Sequence, residues 1–442
     1  MKTRLSILYF LQFGIWGCYL TSLGQFLGSG GLGRDIAWFY AAIGIVSIIT
    51  PSLFGRIADK LKMPHRLLSA SHIVAAVIMT GLWYYAFSHP KLEFTPAYLL
   101  YVGFLAFYMP TMALSNTVSF RLLEERNMNT VTSFPHIRIW GTIGFVAAQW
   151  FVNSAYWDGG SLHFTLQDTA DPGHLRFQYN SMQLLCSGIM GVATGLYAMS
   201  LPVNPNNDTI RTTVKSSQVN IWEAIKKLVG IKGVALFLIF VIFSGVCLQI
   251  SNGFVTPYIT HFTAFPEYMG SLAAGNATML FSLSQISEGV CILLVGLALK
   301  WKGIRFVYAI GLLAWATRFL MLGFGNPGDG LWLLIGSMLV YGIAFNFITI
   351  AGHLHIQQIA PKDMKGLAQG MMMFMSNGIG ATTGILIAGA IVNHWCQWEM
   401  ISVGDSTLRL FMGDWFFPWI IFAAYAFIIS LLWTLTYRKP TP

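Results

Sequence analysis

Charged side chains are scarce in this sequence. Only 26 Lys and Arg and 17 Asp and Glu occur among 442 residues, so charged residues make up 10% of the chain, whereas a soluble domain has about 25%. A chain with so few charges does not cover a water-facing surface, which excludes an ordinary soluble enzyme. The five cysteines follow no disulfide or metal-binding spacing. Four of them lie in apolar runs, where a small buried thiol is the simplest interpretation.

Long apolar runs are abundant instead. Hydrophobic residues make up 55% of the chain, and a bilayer core takes roughly 20 apolar residues per helix. Twelve runs of about that length occur, at 5–27, 36–57, 67–88, 96–118, 136–157, 179–201, 233–256, 273–299, 305–325, 330–354, 366–394 and 413–437. The first is too long for a signal peptide and lacks a small-residue cleavage site. The sequence therefore predicts an all-α polytopic membrane protein with twelve transmembrane helices.

The longest polar stretch, 202–232, divides the chain almost in half. Within it apolar residues repeat at helical spacing beside two lysines, which predicts a short amphipathic helix on the membrane surface formed by Ile221, Trp222, Ile225, Leu228, Lys226 and Lys227. We therefore expect a six-helix bundle over 1–201, a cytoplasmic linker over 202–232 and a second six-helix bundle over 233–442. The stretch 158–178 is predicted to be an external loop.

The positive residues are distributed unevenly between the two sides of the predicted membrane. Twenty of the 26 Lys and Arg lie at the termini or in every second loop, against four in the other loops. By the positive-inside rule both termini are cytoplasmic. The formal net charge of +9 therefore marks membrane orientation, and no nucleic-acid partner is expected. The remaining two, Arg138 and Arg318, fall inside spans; for Arg318 we expect a structural pair or a snorkelling side chain.

Polar groups at membrane depth are costly, and they usually line a cavity or a pathway. Glu288 is the one acidic residue far from the ends of a span, about fifteen residues into the eighth run. Gln285 lies three residues earlier and on the same helical face. Gln249 and Asn252 have the same spacing in the seventh run. Amides inside a membrane also serve as packing contacts between helices, so each of them has that alternative interpretation.

Two further runs carry polar and aromatic stripes at helical spacing: Arg138, Thr142 and Phe145 in the fifth run, and Tyr341 and Phe345, followed by Asn346, in the tenth. Arg138 is placed two or three residues inside the cytoplasmic end of its run, where it could also snorkel. Together the four runs offer a cation, a carboxylate, amides, a hydroxyl and aromatic rings. That set suits a ligand with a flat ring and several hydrogen-bonding groups, such as a sugar attached to a base. A purely lipidic or ionic substrate fits it poorly.

The loop after the second run resembles the G-x-x-A-D-[RK] signature of the major facilitator superfamily, in the string Gly55-Arg56-Ile57-Ala58-Asp59-Lys60. In that superfamily the motif braces the cytoplasmic ends of helices and stabilises one conformation. The resemblance therefore implies a role in conformational gating for Gly55, Asp59 and Lys60.

Longer characteristic strings occur over nearly the whole chain, at residues 10–17, 108–111, 134–145, 248–252, 284–288, 341–345 and 368–371. They are similar to strings of the bacterial nucleoside:proton symporters. The resemblance implies import of purine and pyrimidine nucleosides such as uridine, driven by a proton, in a bacterial inner membrane. It implies a monomer in the lipid bilayer, with no catalytic residue, no metal and no cofactor other than the coupling proton. The binding residues it implies are Arg138, Thr142, Phe145, Gln249, Asn252, Gln285, Glu288, Tyr341 and Phe345.

One position departs from the family pattern. An acidic residue normally follows the aromatic of Y-G-x-A-F, and here that residue is Asn346. An amide does not bind and release a proton, so proton coupling would be weak or would rely on Glu288 alone. The alternatives left open are a sugar or other metabolite symporter of the same superfamily, a membrane-embedded enzyme and a non-transporting sensor. The enzyme would need a cluster of catalytic groups, whereas this chain has one carboxylate in mid-membrane.

Overall fold

The computed structural model describes residues 1–60, 64–167, 175–203, 226–231, 233–268, 270–361, 364–403 and 406–437. Within these ranges the side chains of 51, 52, 55, 56, 58–60, 131, 132, 135, 365, 366, 403, 406 and 407 are not described. The chain forms two compact units. Unit 1 comprises Met1–Lys215 and Trp398–Phe411, and unit 2 comprises Ser216–Gln397 and Met412–Pro442. The predicted amphipathic helix falls mostly outside the described residues.

Unit 1 is built from helices that follow the first six apolar runs. They are α1 (Lys2–Tyr19), α2 (Leu23–Ser29), α3 (Ile36–Lys60), α4 (Pro64–Ser88), α5 (Phe94–Glu124), α6 (Thr130–Ser154) and α7 (Met182–Met199). The first run is interrupted at residues 20–22, so that it contains both α1 and α2. After α6 the chain forms an antiparallel hairpin of β1 (Ala155–Asp158) and β2 (Ser161–Phe164). Residues 155–157 were predicted as the end of the fifth apolar run, and 158–164 as part of an external loop.

Helix α6 begins earlier than predicted, which changes the depth of Arg138. The expected start was residue 136, whereas the helix starts at Thr130. Arg138 therefore lies more than two turns into the helix, and its placement two or three residues from the end was wrong. Hydropathy missed this first part of α6 because it is rich in polar residues.

Glycines let α1 and α6 approach each other closely. A Cβ on Gly17 would lie 2.2 Å from the Phe145 carbonyl oxygen, and one on Gly144 would lie 2.1 Å from that of Phe10. Small residues of this kind allow backbone contact between membrane helices. The close approach fixes the position of α6, which carries predicted site residues, beside α1.

Unit 2 is built from the remaining runs. Its helices are α8 (Val234–His261), α9 (Leu272–Gly275), α10 (Ala277–Phe324), α11 (Leu331–Ile359), α12 (Lys365–Met373), α13 (Ala381–Trp395) and α14 (Phe416–Thr436), with a π-helical segment, Phe374–Gly380, between α12 and α13. Helix α10 contains two predicted spans. They meet at Gly303, whose φ of 72° is non-helical and favours glycine.

A second hairpin, β3 (Cys396–Val403) and β4 (Ser406–Gly413), lies between α13 and α14 in the sequence. Most of it nevertheless packs in unit 1. The Trp398 ring fills the space beside Gly28 and Gly33, where an added Cβ would lie 1.9 Å from it in each case. Gln25 Nε2 donates to the Arg409 carbonyl oxygen at 3.0 Å. The N-terminal unit is thus completed by a segment from near the end of the chain.

Ten helices in the described part of the chain are long and apolar enough to cross a bilayer. One of these ten, Ala277–Phe324, holds two predicted spans. A further helix, Thr130–Ser154, is not one of the ten and corresponds to the fifth predicted span. These helices confirm the all-α polytopic fold and are consistent with twelve spans.

Candidate functional site

In unit 1 the predicted cation is held against an aromatic ring. The Arg138 guanidinium carbon lies 4.0 Å from the centroid of the Phe13 ring, which belongs to α1. A cation over a ring face at this distance is attracted by the ring electrons. Gly141 leaves the space for this contact, since a Cβ there would lie 2.9 Å from Arg138 Nη1. The guanidinium is therefore fixed in mid-helix, which argues against a side chain that snorkels from the helix end.

The other two predicted residues of α6 differ in exposure. Thr142 is half-buried, whereas the Phe145 side chain is 8% exposed. Of the three residues on this stripe, Arg138 and Thr142 have the more accessible side chains. The structure thus places a cation and a hydroxyl on one accessible face of unit 1.

Polar groups on α1 and α5 add to unit 1, and the sequence had not assigned them a role. Gln12 is fully buried, its Nε2 donates to Thr111 Oγ1 at 3.4 Å, and its carbonyl accepts a hydrogen bond from the Tyr108 hydroxyl at 2.8 Å. Gln12 Oε1 has no hydrogen-bond partner among the described residues. Gln12, Tyr108 and Thr111 all belong to the strings that resemble the symporter family. An amide in a membrane span was a signal that could have identified Gln12.

In unit 2 the two amides of α8 lie on one face and bond to each other. Asn252 Nδ2 donates to Gln249 Oε1 at 3.0 Å. This bond leaves the Gln249 amide nitrogen and the Asn252 oxygen to face other groups. The pair is thus oriented with one donor and one acceptor group pointing away from the shared bond.

Gln285 and Glu288 follow on α10. Gln285 is buried, and its Oε1 has no hydrogen-bond partner among the described residues. Buried polar atoms are nearly always hydrogen-bonded, so this oxygen calls for a donor from water or a ligand. Glu288, one turn further along, is half-buried.

Helix α11 supplies the aromatic part of the face. The Tyr341 and Phe345 rings stack with centroids 5.7 Å apart and an interplanar angle of 10°. Trp315 meets Tyr341 edge-on at 5.6 Å. Tyr341 is 4% exposed and Phe345 is half-buried. A flat ligand ring would find its stacking partner mainly at Phe345, with Tyr341 fixing the plane behind it.

Asn346 joins α11 to the turn of α10 that carries Glu288. Its Nδ2 donates to the Glu288 carbonyl oxygen at 2.8 Å and to the Gly342 carbonyl oxygen at 3.0 Å. The side chain is 1% exposed. An ionised carboxylate has no hydrogen to donate, so it would make neither bond. The amide thus makes permanently a contact that an acidic residue could make only when protonated.

The gating motif lies at the end of α3. Gly55, Asp59 and Lys60 are helical, but their side chains lie outside those described. Their bracing role stays a prediction.

The fold and these polar faces define the class of the protein. A bacterial homologue of the human lysosomal transporter Spinster has the same fold, with a TM-score of 0.66, 13% identity and coverage of 100% of this chain and 98% of that one. The protein is a polytopic membrane protein with the major facilitator superfamily fold.

The family is defined by sequence. The model described as "Nucleoside H+ symporter" matches residues 1–442, so the chain belongs to the nucleoside H+ symporter family. It is 32% identical to the xanthosine permease of Escherichia coli K12 over 98% of this chain and 95% of that one. It is also 32% identical to the nucleoside permease NupG of the same organism, over 99% and 96% of the two chains. A crystal structure of the nucleoside transporter NupG superposes with a TM-score of 0.82 at 30% identity, covering 99% of each chain. The predicted resemblance is confirmed.

Proposed function

We propose that the protein imports nucleosides, uridine among them, together with protons. The observation that carries this proposal is the face of unit 2, where stacked rings accompany a buried amide oxygen that has no partner among the described residues. Such a face offers stacking for a base and hydrogen bonds for its edge or for ribose hydroxyls. Membership of the symporter family and the names of its relatives, xanthosine permease and nucleoside permease, support the same substrate class.

Each predicted residue has a role in this proposal. Phe345 and Tyr341 provide the stacking surface, with Phe145 as a further ring in unit 1. Gln249, Asn252 and Gln285 hydrogen-bond base edges or ribose hydroxyls, as does Thr142. Arg138 binds a carbonyl or hydroxyl oxygen of the nucleoside through its guanidinium. Transport then follows by alternating access, in which the bound nucleoside is exposed first to one side of the membrane and then to the other.

Glu288 is the proposed proton-binding group. It is a carboxyl in a membrane span, the kind of residue that relays protons in transporters. Protonation from outside would remove a charge that is costly to move through an apolar environment, and release inside would reset the carrier. Asn346 does not take part, because an amide stays in one protonation state.

The remaining proposals concern the cell. The distribution of Lys and Arg supports cytoplasmic termini in a bacterial inner membrane. We also propose that the carrier works as a monomer. Reporter fusions at each terminus test the orientation, because an external terminus would contradict it.

Uptake by purified protein in liposomes is the test of function. With an inward proton gradient, radiolabelled uridine should enter faster than into protein-free liposomes, and a protonophore should reduce its accumulation. Adenosine should compete with uridine, whereas a hexose should not. A hexose that competes equally would favour a sugar symporter, and an absence of flux would contradict a transporter.

A matched pair of amide substitutions localises the site. Gln285→Ala removes the amide whose buried oxygen lacks a partner among the described residues, so uridine affinity should fall several-fold. Gln358→Ala removes an exposed amide from the end of α11 and should leave affinity unchanged. Equal affinities in the two variants would remove Gln285 from the site.

A further inference from the structure

Arg318 is an arginine with no exposed surface in the second part of α10. Its Nη1 donates to the Ser337 carbonyl oxygen at 2.5 Å and to Ser284 Oγ at 3.3 Å. Its Nη2 donates to Ser251 Oγ at 2.9 Å. Of the two expectations for Arg318, a structural pair or a snorkelling side chain, the second is wrong, because the guanidinium is enclosed by three segments of unit 2.

The three hydrogen-bond partners are sequence neighbours of the candidate site. Ser251 directly precedes Asn252 on α8, and Ser284 directly precedes Gln285 on α10. Ser337 lies one turn before Tyr341 on α11. One side chain thus connects the segments that carry the amides, the carboxylate and the rings.

Arg318 also contacts the rings directly. Its guanidinium carbon lies 4.9 Å from the centroid of Tyr341 and 5.7 Å from that of Phe281. Tyr341 in turn stacks on Phe345. The cation–π contact therefore restrains the plane of the ring that supports the accessible Phe345.

The guanidinium of Arg318 donates its hydrogen bonds to neutral groups. In the described part of the chain its hydrogen bonds end on two hydroxyls, a carbonyl and the thioether of Met338. No ion pair of Arg318 with an acidic residue occurs among the described residues. A buried charge without a carboxylate is costly. Its contacts with three site-bearing segments give the guanidinium a use other than holding an ion pair.

We propose that Arg318 is a positioning residue for nucleoside binding, which acts through Tyr341 and through the serines beside the site amides. The inference rests on the proposed nucleoside function. Because Arg318 is enclosed, it does not touch the ligand. It sets the spacing between the stacking rings and the amides, so its removal should weaken affinity more than it weakens the fold.

The test compares uridine dissociation constants and melting temperatures of purified variants. Arg318→Met should weaken binding about tenfold, since it removes the cation–π contact and several hydrogen bonds. Arg318→Lys keeps the charge over the ring and should recover part of the affinity. Arg305→Met, which removes an exposed arginine from the same helix, is the matched control and should bind as the wild type does.

A double-mutant cycle separates positioning from a general loss of structure. If Arg318 acts through Tyr341, Arg318→Met should weaken binding far less in a Tyr341→Leu background than in the wild type. If the double mutant loses affinity by the product of the factors of the two single mutants, the proposal is overturned. Wild-type affinity in a folded Arg318→Met protein would also overturn it.

Two further variants test the proposal if Arg318→Met does not fold. If Arg318→Met yields no folded protein, Arg318→Lys and Ser251→Ala replace it, and each should weaken binding about threefold through a lost hydrogen bond. Wild-type affinity in both would overturn the positioning role. A wild-type protein that binds no nucleoside would overturn the proposed function itself, which is a distinguishable result.

Discussion

Arg138 of unit 1 and Arg318 of unit 2 both lie well inside a long helix, and the two differ in what they can reach. Arg138 of unit 1 is half-buried and rests on the Phe13 ring at 4.0 Å. Arg318 of unit 2 is fully buried and lies 4.9 Å from the Tyr341 ring. Both use a ring to hold a cation in an apolar environment, but only Arg138 has surface left for a ligand. Under the proposed function, exposure, more than residue type, distinguishes the arginine that binds the nucleoside from the arginine that positions other groups.

The units also differ in the groups that their faces offer. Unit 1 presents a cation and a hydroxyl, and unit 2 presents a carboxylate, amides and stacked rings. If this division holds, both units contribute affinity for the nucleoside, while energy coupling depends on the carboxylate of unit 2. Substitution of that carboxylate should therefore change a different quantity from substitution of the other site residues.

The largest effect is expected for the carboxylate of unit 2. Glu288→Gln should abolish proton-driven accumulation of uridine and change its binding no more than several-fold, because the amide keeps the shape and loses the titratable group. Accumulation ratios in liposomes with an imposed proton gradient measure this. Glu93→Gln, in an exposed loop, is the control. Normal accumulation by Glu288→Gln would remove the coupling role.

The next effect is expected for the accessible cation of unit 1. Arg138→Gln should weaken uridine binding about 50-fold, since a hydrogen bond to a charged group contributes about 1.5–3 kcal/mol. Isothermal titration measures the loss. Arg126→Gln replaces an exposed arginine before α6 and should have no effect. If Arg318→Met proved more harmful to binding than Arg138→Gln, the comparison between the arginines would be reversed.

A smaller effect, dependent on pH, is expected at Asn346. In Asn346→Asp the ionised carboxylate cannot donate to the Glu288 and Gly342 carbonyls, whereas the protonated acid can donate once. Uptake by this variant should therefore be lowest at high pH and should rise several-fold as the pH falls. Asn346→Ala lacks the titratable group and serves as the control. If the two variants share one pH profile, the donated hydrogen bonds do not limit transport.

The smallest effect concerns the stability of unit 1. In Gly28→Ala the new methyl group would meet the Trp398 ring, and overpacking of this kind costs about 1–3 kcal/mol. The melting temperature should fall by a few degrees. Gly81→Ala is the matched control, because no atom lies within 4 Å of its added Cβ. An unchanged melting temperature in Gly28→Ala would mean that the hairpin adds little to unit 1.

The apolar spans and the helical stripes were predictable from the sequence, because both depend on local periodicity. The pairing of Asn252 with Gln249, for example, follows from their spacing. The depth of Arg138 was not predictable, since α6 extends into a stretch with polar residues. The partners of Arg318 were also not predictable. They come from α8, from the first part of α10 and from α11, and no local pattern encodes contacts between segments so far apart in the sequence.

The hairpin β3–β4 was missed for the same reason. Its anchoring residue, Trp398, meets glycines that lie near the start of the chain. Strand periodicity is weak over so few residues, and hydropathy windows register only the flanking spans. In the sequence alone, nothing distinguishes Gly28 and Gly33 from other glycines. Their importance follows from the contact with Trp398.

The β3–β4 hairpin has a consequence for a protein that is cut into two fragments. A cut in the 202–232 segment would separate residues 1–201 from a second piece that still carries Trp398 and Phe411. The first piece would then expose the surface around Gly28 and Gly33, which the Trp398 ring covers in the intact chain. Co-expressed fragments should therefore recover activity only when the second fragment retains the β3–β4 hairpin.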